Sequence, residues 1–296
     1  KGKFPLDKFS SLETPFYYYD IDLLRKTLEN LTTEAGKYGY KVHYATKANA
    51  NSRILSIISG YGLGADCVSG GEVRAAINAG FPASKIVFAG VGKADWEINL
   101  GLDYNIFCFN VESIPELKVI NELAGAKGKT ASIALRINPN VVADTHHYIT
   151  TGKEENKFGI ALSDIEKVLE AVKICKNINL IGIHFHIGSQ ILEMNNFAGL
   201  CSRLNELQDL FERNHVILKH INMGGGLGIN YQYPNKQPIP EFGTYFKTFH
   251  NMVKLREGQI MHFEPGRSVV GQCGSLITKV LYIKEGVKKK FAIVDA

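Results

Sequence analysis

Four stretches of this sequence carry side chains capable of chemistry, and each closes an apolar run. The first is His43-Tyr44-Ala45-Thr46-Lys47-Ala48-Asn49. A lysine so placed is either a solvated strand end or an amine that burial makes nucleophilic enough to form a Schiff base. The second is His184-Phe185-His186-Ile187-Gly188-Ser189-Gln190. Histidines at i and i+2 share one face of a strand, which would suit a metal pair, but no third ligand of helpful spacing accompanies them. A flat ring stacked on a cofactor fits better; one core histidine and one buried, hydrogen-bonded one are the plain alternative. The third stretch, Asn222-Met223-Gly224-Gly225-Gly226-Leu227-Gly228, removes successive Cβ atoms. Its backbone N–H groups can converge on a phosphate, although the pattern is neither GxGxxG nor a P-loop and could be a flexible turn. The fourth is Phe263-Glu264-Pro265-Gly266-Arg267. Its carboxylate and guanidinium either pair structurally or take separate tasks, the glutamate holding a protonated ring nitrogen and the arginine gripping a carboxylate or phosphate. A lysine, a phosphate cradle, a flat histidine and a carboxylate are together what pyridoxal phosphate requires of a protein.

These stretches must be brought to one place, and the element pattern says how. A helix is expected near Ile21–Gly36, after which strand-like and helix-like segments alternate. The strands read as Lys41–Thr46, Leu63–Val68, Ile86–Ala89, Ile106–Phe109, Ala131–Ile137, Leu180–Ile187, Leu218–Met223 and Ile260–Glu264. The fourth is followed directly by a helix read as Val111–Ala124. The strands are short, rich in Val, Ile and Phe and not strictly alternating, as parallel strands buried on both faces should be. Eight of them separated by helices predict an α/β fold, a (β/α)8 barrel of the TIM type, with an open doubly wound sheet as the alternative. The barrel is expected over residues 21–266, after an N-terminal segment, 1–20, that joins a β domain. Residues 267–296 read as the beginning of that mostly β C-terminal domain, with Ser268–Ile283 and Phe291–Val294 β-like and no helical period between them. In a barrel the catalytic groups gather where the strands end, which is where all four stretches lie.

Composition narrows the classes. The chain has 296 residues, 45% of them hydrophobic and 21% charged, so it is globular and neither disordered nor low in complexity. Thirty-four basic against 29 acidic side chains give +5, thinly spread. The one dense run, Lys288-Lys289-Lys290, has no interleaved aromatics, so no nucleic-acid partner is expected. No apolar run reaches the roughly 18 residues of a membrane span, so none is expected. The five cysteines, Cys67, Cys108, Cys175, Cys201 and Cys273, form no CxxC and read as reduced thiols of a cytoplasmic protein. The opening Lys1-Gly2-Lys3-Phe4-Pro5 has no methionine and no signal-peptide core, which suggests a partial chain.

The stretches also resemble a known family. Tyr44–Asn49, Asp66-Cys67-Val68-Ser69-Gly70-Gly71-Glu72, His184–Gln190, Gly224–Gly228 and Glu264–Arg267 are similar, in order, to the motifs of the fold-type III pyridoxal-phosphate-dependent decarboxylases. Within that group Leu135–Asn140, Thr150-Thr151-Gly152 and Asn156–Ile160 most resemble the diaminopimelate decarboxylases. The resemblance implies decarboxylation of meso-2,6-diaminopimelate to L-lysine, the last step of lysine biosynthesis. Close alternatives are a decarboxylase of ornithine, arginine or carboxynorspermidine, or a truncated protein that binds the cofactor without turnover. The family implies that Lys47, His186 and Glu264 are catalytic: Lys47 carries the cofactor, His186 stacks on its ring and Glu264 keeps the ring nitrogen protonated. Ser189, Gly224, Gly225, Gly226, Gly266 and Arg267 would surround the phosphate and substrate, with Arg267 contacting a substrate carboxylate. Asp66, Glu72 and Arg136 would line the cofactor pocket, and no metal is implied. The family also implies a homodimer with shared active sites, completed by a C-terminal β domain of which this chain carries only the start.

Overall fold

The computed structural model describes residues 4–141 and 157–296. Thr150-Thr151-Gly152 and Asn156 therefore lie outside the described residues. Eight parallel strands close into a barrel: β2 (Lys41–Ala45), β3 (Gly64–Cys67), β4 (Ile86–Phe88), β5 (Cys108–Val111), β6 (Ala131–Arg136), β7 (Ile178–His184), β8 (His220–Asn222) and β9 (Ile260–Phe263). Each pairs with the next, and β9 closes on β2 through Lys41↔His262 and Val42↔Phe263. The alternation of strands and helices in the sequence thus becomes a TIM-type barrel and not an open sheet.

Outside the barrel, β1 (Phe16–Tyr19) pairs antiparallel with β10 (Gly274–Ile277). A hairpin follows, β11 (Val280–Glu285) with β12 (Lys290–Val294). The sequence pattern did not mark β1 as a strand. Its partner is more than 250 residues away in the chain, so no local signal requires it. Two expectations need correction. Val111 belongs to β5, where it is buried opposite Leu135. The helix behind it runs Ile114–Ala126 and begins where the Ser113 side chain accepts from the Glu116 N–H. Arg267–Val270 is a short helix and not part of a β run; Ser268, Val269 and Val270 are buried there against the barrel.

The core lies between the barrel wall and the helices. The densest part joins Met194–Arg213, Phe242–Met252 and β9, where Phe197, Tyr245, Phe246, Phe249 and Phe263 pack at ring-centroid distances of 4.9–5.7 Å. Residue alternation sends the other faces of the strands into the barrel. Cys108, Val87 and Ala134 make a small apolar layer there. Below it, towards the strand N-termini, His43 Nε2 meets His262 Nδ1 at 2.9 Å and His262 Nε2 meets His220 Nδ1 at 2.9 Å. Above it, at the strand C-termini, the inward residues are polar: Asp66, Asn110, His184, Asn222 and Glu264, all buried. Among the described residues no helix is long and apolar enough to cross a membrane.

Candidate active site

The polar layer forms the floor of a cavity of about 510 Å³ at the C-terminal mouth of the barrel. Lys47, His186, Ser189, Gly226, Glu264, Gly266 and Arg267 line it, together with Tyr231 and apolar neighbours. Lys47 lies in the single turn Thr46–Ala48 that follows β2, so the strand delivers its side chain over the barrel axis. Its ammonium donates to Asp66 Oδ2 at 2.6 Å. Burial pulls the Lys47 proton affinity down, but Asp66, Glu264 and Glu72 more than reverse this and hold it above the ordinary lysine value. Asp66 is driven the other way: burial and the charge of Glu264 push its carboxyl up against the pull of Lys47. Its second oxygen, Oδ1, is buried without a partner among the described residues.

Glu264 follows β9 and faces inward. His184 Nε2 lies 2.9 Å from its Oε2, Asn222 Nδ2 donates to its Oε1 at 2.6 Å, and Asn110 Nδ2 stands 3.5 Å from the same oxygen. Burial alone would push this carboxyl up; His184, Lys47 and His43 outweigh it and hold the group well below the usual carboxylate range. The floor of the cavity therefore carries a fixed negative charge. His186 behaves oppositely: burial, then Arg136 and Lys47, keep its imidazole well below the ordinary histidine range, so it presents a neutral flat ring.

The glycine run supplies close approach. Gly224 has φ +68° and Gly226 φ +110°, conformations that side chains rarely adopt. A Cβ on Gly224 would strike the carbonyl of Phe185, and one on Gly225 that of Glu264. The run thus threads between the ends of β7 and β9. Gly224 N–H donates to Asn222 Oδ1 at 2.9 Å, whereas Gly225 and Gly226 N–H have no partner among the described residues. Across the cavity Arg267 Nη1 donates to Tyr231 Oη at 2.6 Å, and its buried Nε has no partner there either.

Not every expected residue reaches the cavity. Gly224 and Gly225 stand behind its wall, and Asp66 touches it only through Lys47. Glu72 accepts from the Thr46 hydroxyl at 2.5 Å and from Val68 N–H at 2.8 Å, which ties the turn carrying Lys47 to β3. Arg136 is buried with Glu112, Nη1 to Oε1 at 2.8 Å, and its guanidinium lies 4.8 Å from the Phe158 ring centroid. Glu112, Asn110, Asn222 and Tyr231 were not singled out in the sequence. The alternation along β5 and β8 could have marked Asn110 and Asn222 as inward, but nothing local marks their shared partner.

These features fit one kind of group. An unpartnered glycine N–H on the wall suits a phosphate, an arginine a substrate carboxylate, an amine an aldehyde, and a charged carboxylate on the floor a protonated ring nitrogen. A barrel with that set at its C-terminal mouth defines the fold-type III pyridoxal-phosphate enzymes. The chain belongs to the pyridoxal-dependent decarboxylases, whose pyridoxal binding domain matches residues 22–271. It is similar to the diaminopimelate decarboxylase of Bacteroides thetaiotaomicron, 63% identical over all of this chain and 77% of that protein. The diaminopimelate decarboxylase of Neisseria meningitidis serogroup A is 40% identical over 96% of this chain and 69% of its own length. Among solved structures, that of the Helicobacter pylori enzyme complexed with L-lysine superposes with a TM-score of 0.90 at 37% identity, covering 98% of this chain and 72% of that one. The M. jannaschii enzyme, also with L-lysine, gives 0.88 at 34% identity, covering 98% and 69%.

Proposed function

We propose that this protein removes carbon dioxide from meso-2,6-diaminopimelate to give L-lysine, with pyridoxal phosphate held in the cavity above Glu264. The observation that carries the reading is the meeting of Lys47, His186, Glu264 and Arg267 around one cavity in a chain 63% identical to a diaminopimelate decarboxylase. When bound, the cofactor supplies an electron sink for the pair left behind by the departing carboxylate.

The protein's own residues supply the rest. Lys47 Nζ would carry the cofactor through its aldehyde once it had passed on a proton, and Asp66 Oδ2, 2.6 Å away, is the neighbouring acceptor. Glu264, kept charged, holds the proton on the ring nitrogen. His186, which lines the cavity, would cover one face of the ring, and its neutrality would spare a positively charged ring a like charge. The N–H group of Gly226, with Ser189 and Gly266, would hold the phosphate. Arg267, already oriented by Tyr231, grips a substrate carboxylate by its planar fork. A cytoplasmic homodimer with shared sites, and a boundary between barrel and β region near residue 267, belong to the same proposal.

The test is Lys47→Ala. It is expected to abolish both the absorption of bound cofactor and carbon dioxide release from diaminopimelate. A variant that retains both defeats the assignment. Parallel assays with ornithine, arginine and carboxynorspermidine decide the substrate.

A further inference from the structure

His184, the first histidine of the strand-end pair, takes no part in the function proposed above, yet its Nε2 lies 2.9 Å from Glu264 Oε2. We propose that His184, donating from Nε2, is a positioning residue that acts with Asn222 to keep Glu264 charged and aimed so that the ring nitrogen of the cofactor stays protonated. The inference rests on the reading of the cavity as a pyridoxal phosphate site.

The geometry carries the argument. A carboxylate in the closed interior of a barrel is driven towards its neutral form, and a neutral glutamic acid cannot hold a proton on a pyridine. Glu264 is buried, so its charge depends on donors. His184 and Asn222 are in register on adjacent strands, and Asn222 is in register with His262, two residues before Glu264. The donors are therefore fixed to rigid elements, one to each oxygen, which leaves further lone pairs for a third partner. His184 Nδ1 is buried with no partner among the described residues. A proton there would be an unmatched donor, so the geometry places the ring proton on Nε2, facing the carboxylate. Asn222 has only one consistent orientation, with Nδ2 to Glu264 and Oδ1 accepting from Gly224 N–H. The floor carboxylate and the glycine run are thereby set by the same side chain.

Other charged or titratable groups face Glu264 from every side. Lys47 and His43 come from β2 and the turn after it, Asp66 from β3 and His184 from β7, with His262 below on β9 itself. Among them only His184 makes a hydrogen bond to the carboxylate; the other donors among the described residues are the amides of Asn222 and Asn110. Removing a donor from a carboxylate raises its proton affinity, so the proton shared with the ring would move to Glu264.

The experiment uses the holoprotein loaded with pyridoxal phosphate labelled with 15N in its ring, and follows that resonance against pH. In the unsubstituted protein the nitrogen is expected to stay protonated through neutrality. His184→Leu should lower the midpoint of its deprotonation by about one to two pH units, a ten- to hundredfold change. His184→Gln places an N–H donor at the reach of Nε2 and should restore the unsubstituted profile, which a merely space-filling role would not require. A His184→Leu profile that matches the unsubstituted one, or a His184→Gln profile that matches His184→Leu, overturns the inference. If His184→Leu does not fold, Asn222→Leu must shift the midpoint in the same direction, and an unchanged midpoint overturns it equally. If the unsubstituted protein shows no cofactor resonance at all, it is the reading of the cavity that fails, and the two failures are thus told apart.

Discussion

Gly225→Ala should be costly far beyond the size of a methyl group. The new Cβ would sit inside the contact radius of the Glu264 carbonyl oxygen, 2.9 Å from the carbonyl carbon and 3.5 Å from Pro265 N. The obstacle is backbone, so no side chain can swing aside. Either the glycine run or the end of β9 must move by about an ångström, against ordinary overpacking costs of roughly 1–3 kcal/mol. Glu264 N–H also donates to Gly224 O at 2.7 Å, and straining that bond adds about 1 kcal/mol. The expected loss is therefore about 2–4 kcal/mol in a urea unfolding curve. The same displacement moves the Glu264 carboxylate against His184 and Asn222, and a shift of that size costs about a hundredfold in turnover. Gly36→Ala is the control. It ends the helix Ile21–Gly36 and a Cβ there meets nothing within 4 Å. It should be neutral or stabilise by up to about 1 kcal/mol. A Gly225→Ala protein within ~0.5 kcal/mol of the parent and fully active would refute the reasoning, because changes that small belong to exposed surfaces.

Two further outcomes follow from other layers of the barrel. His262 is held at about 2, chiefly by burial and then by His43 and His220, well below its unfolded value. The unfolded chain thus binds the extra proton first, so stability should fall as pH drops below about 6.5, by up to about 1.4 kcal/mol per pH unit for each such histidine. His43 is shifted in the same direction, mainly by burial, and adds to the slope. Urea midpoints against pH should show a shallower acid slope in His262→Asn, and parallel slopes would count against it. Phe249→Ala empties the centre of the aromatic cluster beside β9, where Phe249 lies 4.9 Å from Phe263 and 5.0 Å from Tyr245. It should cost about 3–5 kcal/mol by thermal or urea unfolding, and a loss below ~1 kcal/mol would mean that the cluster refills the space.

Much of this molecule was legible in the sequence because the signals are local. Short apolar strands separated by helices imply a barrel, and Lys47, His186, the glycine run and Glu264 all sit at strand ends where a barrel displays its chemistry. The misleading signals are local too. Val111 reads into the helix that follows because strand and helix share its apolar character, and only pairing with Leu135 keeps it in β5. Arg267–Val270 looks β-like by composition, but burial against the barrel folds it into one helical turn.

The sequence by itself determined the fold class, the order of the elements and the residue types available at the mouth of the barrel. These follow from hydrophobic period and backbone chemistry, which neighbours along the chain can specify. Tertiary structure decided the partners. Lys47 meets Asp66 across 19 positions, His184 meets Glu264 across 80, and Asn222 joins Glu264 across 42. β1 meets β10 from opposite ends of the chain. Strand register places those side chains in one buried layer, and burial there makes each charge depend on the donor beside it. A carboxylate that is only one residue type in the sequence becomes a fixed negative charge once the barrel closes around it.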